Sequence, residues 1–307
     1  MVTRHTYASA DHLRDYLAGT SYSSTWTADS NSIRRILESQ SRRIDNYCRG
    51  GAFGPVTETR QYDIGVGTLL HSPQYSVYGG SGANLGNPEQ LVPLIPLDGW
   101  LVSTTTVTSY SGTARTTSET LSEGYNNDFF LLPYNQSPKT ALELTQETAK
   151  TFNSGQSTLH ILGTWGYTNN TSPEKTTTGT IATTTETSWG VNDASGLSPA
   201  QTILVDSEQM YITGISSNTL TVERGVNGTT AATHSASTSV YIYDYPELVA
   251  QACLDLAKIT FRNRDLGVVD TLGVSEQNIT VASKELFNVL ATLDGYREGA
   301  TTNSVIF

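Results

Sequence analysis

The sequence predicts an α+β fold, with a helical bundle made from helices at the two ends of the chain, a β-block, and an additional inserted small β-barrel or sandwich domain. Three observations predict it. Near both ends apolar residues recur at helical spacing. The middle is rich in Thr, Ser and Gly, with short alternating apolar runs between turn residues. A polar stretch at 168–180, TNNTSPEKTTTGT, divides that middle in two and reads as a linker.

The elements follow in order. Residues 7–18 read as a short helix with Ser9 as N-cap and Leu13, Tyr16 and Leu17 on its apolar side. Residues 29–49 read as a second helix, with Ile33, Ile36, Leu37, Ile44, Tyr47 and Cys48 on one stripe. Gly50-Gly51 ends it. Strands are predicted at 58–64, within 91–110, at 129–132, at 140–145 and at 157–167. A second β-region, 181–243, holds four short strands separated by turns at Asp206-Ser207, Ser216-Ser217-Asn218 and the type I′ signal Asn227-Gly228. Helix returns after Pro246, with Leu248, Val249, Ala252, Cys253, Leu256, Ile259 and Thr260 on one face. A last helix is expected at 281–296, carrying Leu286, Val289, Leu290 and Leu293. Neither terminal helix pair can bury its stripe alone, so the two are expected to pack together. The expected division is therefore a core of 1–167 plus 245–307, with 168–244 inserted.

Charge narrows the function. Charged residues are 15% of the 307, and the net charge is −11. Residues 1–50 are the exception, with seven Arg against five acids. Broad nonspecific nucleic-acid binding needs clustered Lys and Arg, so an acidic chain of this kind argues against it. No run is long and apolar enough to span a bilayer, and the N-terminus lacks the apolar core of a signal peptide. A soluble protein made in the cytoplasm, without membrane contact, is expected. Cys48 and Cys253 both fall on helix stripes and read as small buried hydrophobes rather than a disulfide.

Motifs for chemistry are missing from the text. The run from Gly79 to Gly86 has the wrong spacing for a phosphate loop and no helix follows it. The five histidines are scattered, and His160 sits between Leu159 and Ile161 in a predicted strand. No carboxylate pair or calcium loop stands out. No catalytic residue, metal ligand or cofactor site is therefore assigned, and the expectation is that the protein is not an enzyme. Two features suggest an interface. Arg34, Arg35, Arg42 and Arg43 lie off the apolar stripe of the second helix, where they either face solvent or meet an acidic partner or nucleic acid. Val305, Ile306 and Phe307 end an otherwise polar tail, which either frays or docks as an anchor.

SRRIDNYCRGGAF, ETRQYDI, LLPYN, LHILGTWGY and YPELVAQACLDLAKITFRNRD occur in that order. This arrangement resembles the head–tail connector (adaptor, or head-completion) proteins of long-tailed bacteriophages, over residues 7–64, more loosely 90–167, and 245–296. The resemblance implies a structural virion protein at the neck. It would form a homo-oligomeric ring, commonly of about twelve copies, between the portal and the stopper or tail-terminator protein. DNA would pass through the ring without specific binding, and the tail at Thr301–Phe307 would engage the portal. Compact connectors lack the 168–244 segment, which leaves a second reading. In it, the protein is a binding module whose β-domain recognises a host glycan or another virion protein.

Overall fold

The computed structural model describes residues 3–17, 30–64, 94–111, 116–145, 155–265 and 285–297. It corrects the expected fold class: the chain is mostly β, built on two antiparallel six-stranded sheets rather than on a helical bundle with a small β-insertion. The helices are α1 (Ala10–Leu17), α2 (Ser30–Cys48), α3 (Glu247–Asp265) and α4 (residues 285–291), the last followed by a 3-10 turn, Asp294–Tyr296. Among the described residues no helix is long and apolar enough to cross a membrane.

The chain divides into two compact units. One comprises Met1–Val56 with Thr168–Thr301, the other Thr57–Tyr167. The expected division put 168–244 outside the helical core. In the structure that segment shares a unit with the helices, and 57–167 is the separate part.

In the second unit the strands are β1 (Val56–Ile64), β2 (Leu94–Ser111), β3 (Thr117–Leu121), β4 (Phe129–Leu132), β5 (Lys139–Leu144) and β6 (Gly155–Trp165), in the order β1-β6-β2-β5-β4, with β3 also on β2. β2 is long enough to serve three partners. Its first part pairs with β5 and its second with β6 and β3, with register shifts at Pro96/Leu101, Leu101/Ser103 and Thr104/Thr106. The last of these explains Gly163, which lies opposite Thr104. A Cβ there would come within 2.5 Å of the Ser103 carbonyl oxygen, so only glycine lets the two strands close up at the bulge. Alternation along the strands sends Leu101, Val107, Phe129, Leu142, Leu159, Ile161 and Trp165 into one core. Trp165 is buried; its Nε1 donates to the Glu58 carbonyl at 3.0 Å, and the Arg60 guanidinium covers its ring at 4.1 Å.

In the first unit the sheet order is β7-β12-β9-β10-β11-β8. Its strands are β7 (Thr171–Thr176), β8 (Ser188–Gly190), β9 (Thr202–Val205), β10 (Glu208–Ser216), β11 (Thr219–Glu223) and β12 (Ser239–Tyr243). Two-residue turns join β9 to β10 and β10 to β11, with Asp206 and Ser217 at positive φ. Asn227 and Gly228 are both at positive φ, as a type I′ turn requires. Ile203, Val205, Met210, Ile212, Leu220 and Val240 form the centre of this sheet's core.

α2 packs on α3, and α1 packs on both. Ile33, Leu37, Ile44 and Cys48 are the buried stripe of α2, meeting Val249, Ala252, Cys253 and Leu256 of α3. Leu248, expected on the α3 core face, is instead exposed. Both cysteines are free and buried, and burial pushes the Cys48 thiol up to about 12 and the Cys253 thiol up to about 11.

Candidate functional site: the arginine helix and its polar surroundings

The four arginines of α2 have different surroundings. Arg42 turns inward: its Nη2 donates to the His5 carbonyl at 2.6 Å, Nη1 lies 2.9 Å from Asp45, and its guanidinium sits 5.9 Å from the Tyr7 ring centre. Arg34 is largely covered and lies 4.0 Å from Glu38. Arg35 and Arg43, two turns apart, are exposed on the side of α2 opposite its buried stripe. Two of the four arginines thus belong to the fold, and two face outward. Val305, Ile306 and Phe307 lie outside the described residues, as do His71 and the Gly79–Gly86 run.

The inward arginines belong to a polar layer built by the first residues of the chain. Arg4 grips Glu223 with two nitrogens, Nε at 2.8 Å and Nη2 at 3.2 Å, and reaches Glu38 at 3.5 Å. Tyr211 of β10 donates its hydroxyl to the same Glu38 carboxylate at 2.7 Å. Burial, then the Glu38 charge, pushes the Tyr211 hydroxyl far above its ordinary pKa, so it stays a donor. The backbone takes part as well. Arg4 N donates to Asn227 Oδ1 at 2.6 Å, Thr202 donates to the Arg4 carbonyl, Thr6 donates to the Ala200 carbonyl, and Ala10 N donates to the Pro199 carbonyl at 3.2 Å.

His5 is the pivot of this layer. It is buried, and its Nδ1 lies 2.8 Å from the Tyr245 hydroxyl while Nε2 lies 2.9 Å from the Pro55 carbonyl. Nε2 also lies 3.0 Å from the Asn227 side-chain amide nitrogen, so it faces both an acceptor and a donor, and the Tyr245 hydroxyl can serve either neutral tautomer. Burial drives the His5 pKa down to about 3, with the Arg42 charge adding to it, which keeps the ring neutral. Gly54 makes room for the ring: a Cβ at that position would lie 2.4 Å from His5 Nδ1. Asp45 also ends in this layer, accepting from Tyr7. Burial raises its pKa to about 6 against the opposing pull of Arg42 and that hydrogen bond.

A second buried cluster lies at the β9–β10 turn. The Glu208 carboxylate is fully buried and accepts from Arg224 Nε and Nη2 at 2.7 Å each, from the Gly225 and Ala232 amides at 2.9 Å each, and from His234 Nε2 at 2.9 Å. Burial alone would raise the Glu208 pKa; those donors outweigh it and hold the group down to about 2. The other His234 nitrogen faces Asp206 at 2.7 Å. Every acceptor site of Glu208 is used by the protein itself, so this carboxylate has nothing left to bind a ligand with. Its geometry is that of a clamp joining a hairpin to the loop after β11.

One pair has the outline of nucleophilic chemistry. Ser157, at φ +53°, lies 3.0 Å from His160 Nε2. Its hydroxyl proton goes to Gln61 Oε1 at 2.6 Å, and Nε2 also faces the Ser157 carbonyl at 3.2 Å. The nitrogen that would have to be a base therefore carries a proton, and the pair fastens the start of β6 rather than activating Ser157. Among the described residues no group of His, Cys, Asp and Glu is arranged to hold a metal ion.

Sequence reasoning passed over Arg4, His5, Glu38, Tyr211, Glu208, Arg224 and His234. The Asp206-Ser207 and Asn227-Gly228 turns flagged their neighbourhood. Comparison with known proteins adds no relative: no family description, no curated protein and no solved structure matches the chain.

Proposed function

We propose that the protein is a structural assembly component, an adaptor subunit that forms a ring between the portal and the tail or stopper of a tailed phage and continues the DNA channel. The observation that carries this reading is the exposed pair Arg35 and Arg43 on a helix whose other faces are consumed by the fold. Fixed guanidinium groups on the outer side of a rigid helix suit protein–protein contact. The polar clusters support the same reading, because their donors and acceptors, the buried Arg34 Nε excepted, pair with one another and stiffen the subunit instead of opening a reactive cleft. An acidic chain also suits a channel that lets DNA slide past. The reading is tested by tagging the protein in assembled particles and imaging them. Density for the tag at the junction below the portal vertex is the expected result; its absence from purified virions refutes the reading.

A further inference from the structure

Beyond the location of the ring, the surface of the first unit points to how copies would join. Residues of α3 and α4 line an open groove of about 290 Å³, among them Leu248, Asp255 and Val289. Its surroundings combine exposed apolar surface with negative charge. Leu248 is 43% exposed and Phe287, beside the groove-lining Asn288, is 65% exposed. Glu247 is exposed next to Leu248, and Asp255 lines the groove itself while accepting from Tyr16. The exposed side of α2 has the opposite character, with Arg35 and Arg43 and no large apolar residue among its exposed positions.

We propose that the groove between α3 and α4 receives the Arg35–Arg43 edge of α2 from a second copy of this chain. The inference rests on the assembly reading above and specifies its contact surface. The two patches complement each other chemically. Arginine can lay its methylene stem along Leu248 and its guanidinium over the face of Phe287, while Glu247 and Asp255 supply the counter-charge. Because the patches are different surfaces of one subunit, the contact is head-to-tail. Each copy offers both a groove and an edge, and such a contact closes into a ring when the rotation from copy to copy closes.

Charge exchange tests the pairing. One full-length variant carries Arg35→Glu with Arg43→Glu, the other Glu247→Arg with Gln251→Arg; all four positions are exposed, and circular dichroism checks that each variant folds. Sedimentation over a concentration series is expected to show self-association of the unmodified chain, weakened about tenfold or more in either variant alone. An equal mixture should recover it, since every edge then faces a groove of opposite sign, and so should a single chain carrying all four changes. Association indifferent to both variants, or no recovery in the mixture and the fourfold chain, overturns the pairing while leaving a ring through other surfaces possible. A chain that stays monomeric at every concentration overturns it too. Virion imaging then decides the neck reading on its own.

Discussion

Gly54 and His5 show how much of the first unit depends on single atoms. The histidine ring occupies the space where a Cβ of residue 54 would sit. Gly54→Ala is expected to cost about 1–3 kcal/mol through overpacking, read as a lower urea midpoint with an unchanged slope. His5 also ties stability to pH. Its folded pKa of about 3 lies below the ordinary 6.5, so between those values the unfolded chain binds more protons and stability is lost as pH falls. Glu208, held down to about 2 from 4.5, adds a second loss below pH 4.5. Asp45 acts in the opposite sense: its pKa is raised to about 6 from 3.8, so its contribution favours the folded state in acid and fades as pH rises through 6. Urea unfolding across pH 3–7 is expected to show a net acid loss, shallower in a His5→Gln variant. An unchanged slope in that variant would refute the assignment. Arg224→Met leaves the buried Glu208 charge without its main partner and is expected to cost about 3–5 kcal/mol.

At the scale of the element, α2 divides its arginines by direction. Arg42→Gln removes contacts to His5, Asp45 and Tyr7, and is expected to lower the melting temperature by several degrees. Arg35→Gln and Arg43→Gln should leave melting unchanged while weakening self-association. Equal melting losses in all three would place the outward pair in the fold as well. The stripe of α2 was readable because burial of Ile33, Leu37, Ile44 and Cys48 follows helical period. The difference between Arg42 and Arg43 was not, since neighbouring residues point about 100° apart and only the packed partner decides which one is covered. Leu248 carries the same lesson on α3. It continues the apolar pattern, yet it stands at the edge of the groove rather than in the core.

For the whole molecule, two compact units predict two thermal transitions. Calorimetry should resolve them, and Arg224→Met should move only the one belonging to the first unit; a single transition shifted as a whole would refute this. By itself the sequence determined the helices near both ends, the turns at Asp206-Ser207, Ser216-Ser217-Asn218 and Asn227-Gly228, and the strand character of the middle, because period and turn chemistry are local properties. Tertiary structure alone decided that β-sheet dominates and that 168–244 shares a unit with the helices while 57–167 forms the other unit. The bonds responsible run from Arg4 and Thr6 to Ala200, Thr202, Glu223 and Asn227, and from Tyr211 to Glu38. They join polar side chains and backbone groups across some two hundred residues, and contacts of that kind leave no periodic mark in the order of amino acids.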